Sequence, residues 1–93
     1  KNGDLEQAME WRIGLDDPDG EVAHALAVLR HRRGEFEEAS ELYRESLTRK
    51  PDRAEGQWNL GHALFALNRP AEAQNHWRLA LEANPQLAVE SLR

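Results

Sequence analysis

Four histidines, a cluster of aspartates and a basic tripeptide are the groups in this 93-residue chain with the most chemistry to offer. On one helix His24 and His31 would stand about 10 Å apart along the axis, too far to share a zinc ion whose bonds are about 2 Å long. No His-Glu-x-x-His stretch occurs, and His76 belongs to a different helix layer, so no metal is expected. Asp16, Asp17, Asp19 and Gly20 lack the alternating oxygen ligands and the late glutamate of a calcium loop, and read instead as a helix-capping turn. His31-Arg32-Arg33 offers contacts to a phosphate, but as a solvated helix end its cations already suit the negative pole of the helix dipole. With no cysteine there is no thiolate nucleophile, thiolate metal site or disulfide. No glycine-rich phosphate loop or nucleophile elbow is present, and the carboxylates of Glu37, Glu38, Glu41 and Glu45 fall on exposed helical positions. The chain therefore reads as no enzyme and as needing no cofactor.

The remaining reactive side chains fall into two stripes. His24, Val28 and His31 follow at i, i+4 and i+7, on the opposite side of their helix from Val22, Leu26 and Leu29. Trp58, His62 and Phe65 stand in the same relation to Leu60, Leu64 and Leu67. The apolar set of each helix faces a core, which leaves the other stripe for solvent, a neighbouring helix or a ligand.

Helical spacing and breakers place these stripes. The first helix is expected over Asp4–Leu15, with Asp4 and Gln7 as a capping box and Leu5, Ala8, Met9 and Ile13 as its apolar stripe. Asp16-Asp17-Pro18-Asp19-Gly20 ends it. A second helix runs to about Arg33 and stops at Gly34, and a third covers about Glu35–Arg49 with Phe36, Ala39, Tyr43 and Leu47 inward and a Glu45–Arg49 pair outward. Asp52 and Glu55 suggest a second capping box for a fourth helix ending near Leu67. Asn68 then takes the turn position of Gly34, Pro70 opens a fifth helix to Ala83, and Asn84-Pro85 starts a sixth.

The bulk numbers narrow the class. Hydrophobic residues make up 40% and charged residues 31%, which is too apolar for intrinsic disorder, and no apolar run reaches the roughly 18 residues of a membrane span. A formal charge of −5 argues against a general nucleic-acid binder, which needs a basic surface. The chain opens without methionine and reads as a piece of a longer, soluble and bacterial parent, cytoplasmic or periplasmic.

Residues 20–53 laid on 54–87 pair Leu26 with Leu60, Ala27 with Gly61, Ala39 with Ala73, Tyr43 with Trp77, Ser46 with Ala80, Leu47 with Leu81 and Pro51 with Pro85, always 34 residues apart. That is the period of a helix-turn-helix repeat array, in which small residues let paired helices approach and aromatics fill the wedge beside them. The motif of Leu60-Gly61, Leu64, Ala73, Trp77, Ala80 and Pro85, echoed by Leu26-Ala27, Gly34, Ala39, Tyr43, Ser46 and Pro51, resembles the tetratricopeptide repeat family. Trp58 lies one residue after the usual tryptophan site at Gln57, and Arg30 takes a site that is usually aromatic or apolar. Residues 3–19 resemble the second helix of a preceding repeat, two residues short and with Arg12 in place of an aromatic, while 88–93 begin another.

The resemblance implies an all-α fold of stacked antiparallel helix pairs, a right-handed superhelix, forming one array over 1–93. It also implies a non-catalytic role in binding a protein or peptide in the concave groove. The groove-lining positions of that family fall on His24, Val28, His31, Trp58, His62 and Phe65, with Arg32, Asn59 and Arg93 beside them. Aromatic, imidazole and guanidinium groups together suit a ligand carrying acidic and apolar side chains. Asn59 and Arg93 match two sites of the carboxylate clamp of one subgroup, but His24, Val28 and Val89 replace its other residues, so a working clamp is not expected. Asn59 also matches a position where some transferase-linked arrays run an asparagine ladder, and a single rung does not make one. The alternative role is a structural spacer or self-association segment of a larger assembly, with half-repeats at both ends giving a homodimer through Leu5, Met9, Trp11, Leu87 and Leu92.

Overall fold

Each break in the chain is made by a residue that a helix does not readily carry further. The computed structural model describes residues 2–91, with the side chains of residues 3–89, and there the fold is all-α: α1 (Asn2–Leu15), α2 (Glu21–Arg32), α3 (Phe36–Arg49), α4 (Ala54–Ala66), α5 (Pro70–Ala83) and α6 (Gln86–Ser91). Arg93 and Leu92 lie outside the described residues.

The two tight turns are built alike. Gly34 (φ 81°) and Asn68 (φ 63°) both take the left-handed conformation, open to glycine and tolerated by asparagine. The next amide then reaches back over the helix end, Glu35 to the Arg30 carbonyl and Arg69 to the Leu64 carbonyl, both at 2.9 Å. These bonds satisfy carbonyls that a helix C-terminus leaves free. Pro70 follows as the first residue of α5, where its missing N–H costs nothing.

The aspartate-rich turn is a cap, as its sequence suggests. Asp17 is buried and accepts the amides of Val22 and Ala23, both at 3.0 Å, while Arg49 of α3 donates to the same carboxylate at 3.2 Å. Gly20 (φ 71°) packs so closely on α3 that a Cβ would lie 2.6 Å from the Ser46 carbonyl oxygen, and the Ser46 hydroxyl donates to the Gly20 carbonyl at 2.7 Å.

The two expected capping boxes do not form. Helix α1 begins at Asn2, so Asp4 sits inside its first turn. At α4 the capping position belongs to Arg53 without a side-chain bond, because Glu55 turns away to meet His24 at 3.3 Å. Arg53 instead donates to the Asp19 carbonyl at 2.8 Å and ties the start of α4 to the turn before α2.

Helices pack mainly on their neighbours in the chain, α2 on α3 and α4 on α5, with α3 on α4 joining the pairs. One buried cluster joins Ala27, Ala39, Tyr43, Leu47, Leu60, Ala63, Leu64 and Ala73. A smaller one joins Ile13, Ala23 and Leu26, and half-buried Leu42 packs on both. The small residues sit where the helices cross, and at Gly61 even a methyl group is excluded, since its Cβ would overlap the Trp77 indole and lie 3.1 Å from the Ala73 carbonyl oxygen.

Helix α1 is attached differently. Met9 and Ile13 reach the smaller cluster, but much of the contact is ionic. Buried Glu6 takes Arg33 in a two-pronged contact and Arg30 at 3.3 Å, and Arg30 also reaches Glu10 at 3.0 Å and Glu35 at 3.4 Å. A carboxylate carried into a low-dielectric contact is tolerated only when cations and donors of this kind surround it.

Candidate functional site

Leu26 of α2 and Leu60 and Leu64 of α4 are buried in the core, while Val22 and Leu29, expected on the core side with Leu26, line the same surface as His24 and Val28. Between α1, α2 and α4 opens a cleft of about 1010 Å³. Leu5, Ala8, Met9 and Arg12 of α1 form one wall, Val22, Ala25, Val28 and Leu29 of α2 the apolar floor, and His24, Arg32, Glu55 and Asn59 bring polar groups to it.

The eight described residues among the nine expected to line a groove divide into three groups. His24, Val28, Arg32 and Asn59 meet on this cleft. Trp58, His62 and Phe65 gather instead around Trp77 of α5, with ring centroids 6.2, 5.3 and 5.7 Å from the indole, and Phe65 remains 60% exposed. His31 stands apart from the cleft lining, edge-on to Phe36 at 5.3 Å. Arg93 lies outside the described residues.

Burial lowers the pKa of all four histidines. At His24 the approach of Glu55 at 3.3 Å only partly offsets it. The His24 Nδ1 is buried with no hydrogen-bond partner among the described residues. Tyr43 is fully buried and its phenol is pushed up to about 12, mainly by desolvation. The phenol therefore keeps its proton and shares a hydrogen bond with His31 Nδ1 at 3.3 Å. Burial also lowers His31, with His62 nearby as a second cause, and lowers His62 itself. His76, likewise lowered by burial, donates from Nδ1 to the Gln57 side-chain carbonyl at 2.7 Å.

Cations are distributed unevenly. Among the described arginines only Arg12 and Arg32 have no side-chain hydrogen bond or ion pair, and both line the cleft. The others engage a carboxylate or a backbone carbonyl of the chain itself.

Comparison with known proteins matches this architecture. The tetratricopeptide repeat family profile matches residues 30–93, more than half of the chain. The chain belongs to the tetratricopeptide repeat family. It is also 37% identical over 92 residues to Protein FlbA of Caulobacter vibrioides, a match that covers 96% of this chain and 15% of that protein. The chain thus spans about 15% of the length of this relative.

Tetratricopeptide repeats generally mediate protein–protein interaction, and the family is typically non-catalytic. Among the described residues no three His, Cys, Asp or Glu side chains gather as metal ligands would, and no helix is long and apolar enough to cross a membrane. The α1 wall of the cleft in this repeat protein was not expected from the stripes on α2 and α4. Its signal was present, since Glu6 and Glu10 share one face of α1 while Arg30 and Arg33 share one face of α2, complementary charges that bring the two helices together. The role of Trp77 as the hub of three rings had no such local signal.

Proposed function

We propose that this chain is a non-catalytic interaction module that holds a peptide segment or helix of a partner protein in the cleft between α1, α2 and α4. In this reading residues 20–53 and 54–87 act as two repeats, 3–19 as the second helix of an incomplete one and 88–93 as the start of the next. Val28 supplies apolar floor, while His24, Arg32 and Asn59 meet the ligand's polar groups. The ring surface of Trp58, His62 and Phe65, with Arg93, extends the contact.

The supporting observation is the unpaired Arg32 guanidinium beside an apolar floor, in a protein of net charge −5 where most other arginines are already engaged. A carboxylate ligand gives Arg32 a charge-assisted hydrogen bond without breaking an existing one. The ligand is therefore a segment that alternates acidic and apolar side chains.

Selection of random peptides on the immobilised chain tests this. Recovered sequences should be rich in Asp, Glu, Leu and Phe, and their binding, read by fluorescence anisotropy, should fall about tenfold or more in Arg32→Glu or Val28→Arg. Recovery of basic peptides, or binding indifferent to both substitutions, would refute the reading.

A further inference from the structure

The two free guanidiniums of the cleft stand at its opposite ends. Two groups of neighbours set the register of α1 against α2: Arg12 lies beside Glu21 and Val22, while Leu5 lies beside Leu29 and Arg32. Leu5 is seven residues from Arg12, and Leu29 is seven from Val22, about 10 Å along each axis, so the two levels agree. Arg32 lies three residues beyond Leu29, which sets it about 15 Å from Arg12 along the cleft. Both arginines are exposed, and neither makes a side-chain hydrogen bond or ion pair among the described residues. Between them the floor is apolar, and near its middle Ala8 of α1 and Ala25 of α2 stand at nearly the same level, both too short to fill the space.

We propose that the cleft takes an acidic amphipathic helix of a partner protein, anchored at both ends by carboxylates three helical turns apart, at i and i+11. The inference rests on the cleft reading above and adds to it the ligand's conformation and spacing. Val22, Ala25, Val28 and Leu29 of the floor lie within α2, whose backbone groups are used inside the helix, and Asn59 is the one amide side chain in the lining. An extended ligand would leave most of its own backbone groups unpaired there, whereas a helix satisfies them internally. On a helix the residue at i+11 lies about 16 Å along and only about 20° around, so both carboxylates reach the two guanidiniums from one face. Positions i+4 and i+7 fall within about 40° of that face. Leucine or phenylalanine at these positions enters the room left by Ala8 and Ala25 and covers Val28 and Leu29. The carboxylates of the lining gather at one end, Glu21 beside Arg12 and Glu55 at 3.3 Å from His24, so Arg32 is the stronger anchor.

Synthetic peptides test the spacing. The first is an alanine-rich helix of about 18 residues with Glu at i and i+11 and Leu at i+4 and i+7. The second moves the later Glu to i+9, on the opposite face of the helix. The third is a short extended peptide with Glu at i and i+4, which spans about 13 Å. Fluorescence anisotropy with the 93-residue chain should show the first binding about tenfold or more tighter than either other. Arg32→Gln should weaken it about tenfold and Arg12→Gln about threefold, while Glu21→Gln should tighten it. Replacing both Glu of the peptide by Gln should abolish the effect of each arginine substitution, as a double-mutant cycle requires of groups in contact. Circular dichroism should be unchanged in the three variants, since none of these side chains bonds to another described residue. Equal binding of the i+11 and i+9 helices, tighter binding of the extended peptide, indifference to both arginine substitutions, or no binding of any peptide overturns the proposal. If peptides recovered by selection are still weakened by Val28→Arg and Arg32→Glu, the cleft stands as a binding site and only the helix and its spacing fall.

Discussion

The indole of Trp77 occupies the space that a side chain on residue 61 would need. Glycine in the middle of α4 costs helix stability of about 1 kcal/mol relative to alanine, yet here it admits the ring that Trp58, His62 and Phe65 gather around. Gly61→Ala should therefore lose stability on balance, by about 1–2 kcal/mol, because overlap with a rigid indole and a backbone carbonyl outweighs the gain in propensity. Thermal melting should show a fall of roughly 5–10 °C. A rise in melting temperature would mean that Trp77 moves aside freely.

The Asp17 carboxylate holds the start of α2 and the end of α3 at once. Asp17→Ala removes the acceptor of two buried amides and leaves Arg49 with only the exposed Glu45 and the Asp17 carbonyl. A loss of about 2–3 kcal/mol is expected, at the upper end for a helix cap, and Asp17→Asn should lose less. Urea titration of the three proteins measures the order.

Protonation of the histidines sets the acid limit. Burial lowers the pKa of His24, His31, His62 and His76 below the ordinary 6.5, so on acidification the unfolded chain takes up protons before the folded one. Their contribution to stability is whole above about 6.5 and is lost as the pH falls through their folded values. Melting temperature should thus decline from pH 7.5 to pH 5.5, and decline less in His62→Phe, which keeps a ring against Trp58 and Trp77. Tyr43 has the opposite sign. Its raised value preserves stability below about 10, and that contribution is lost as the pH climbs toward about 12.

Glu6 decides whether α1 stays docked. Glu6→Ala removes the acceptor of Arg33 and one acceptor of Arg30, leaving Met9 and Ile13 as the main apolar attachment. Amide hydrogen exchange should speed up through α1 by about tenfold or more while α4 and α5 keep their protection. Uniform acceleration throughout the chain would show that α1 opens only with the whole molecule.

The parts of this fold that were legible in the sequence are those decided within a few residues. Gly34 and Asn68 announce left-handed turns because few other residues take that conformation cheaply, and the fixed spacing of Ala27, Ala39, Gly61 and Ala73 announces crossings because only small side chains fit there. Where two neighbours compete for one group, the sequence is ambiguous. Glu55 looks like half of a capping box with Asp52 until His24 arrives from another helix to take its carboxylate. The stripe of Trp58, His62 and Phe65 was likewise visible as a stripe, but its association with Trp77 rather than with His24 and Val28 depends on how α4 lies across α5.

Leu42 packs on both buried clusters, and it is only half-buried itself. The apolar interiors at the two ends of the molecule are therefore coupled through a narrow isthmus on α3. Trimming that side chain would be expected to separate a single calorimetric peak into two, with the end that contains Ile13 and Leu26 melting first.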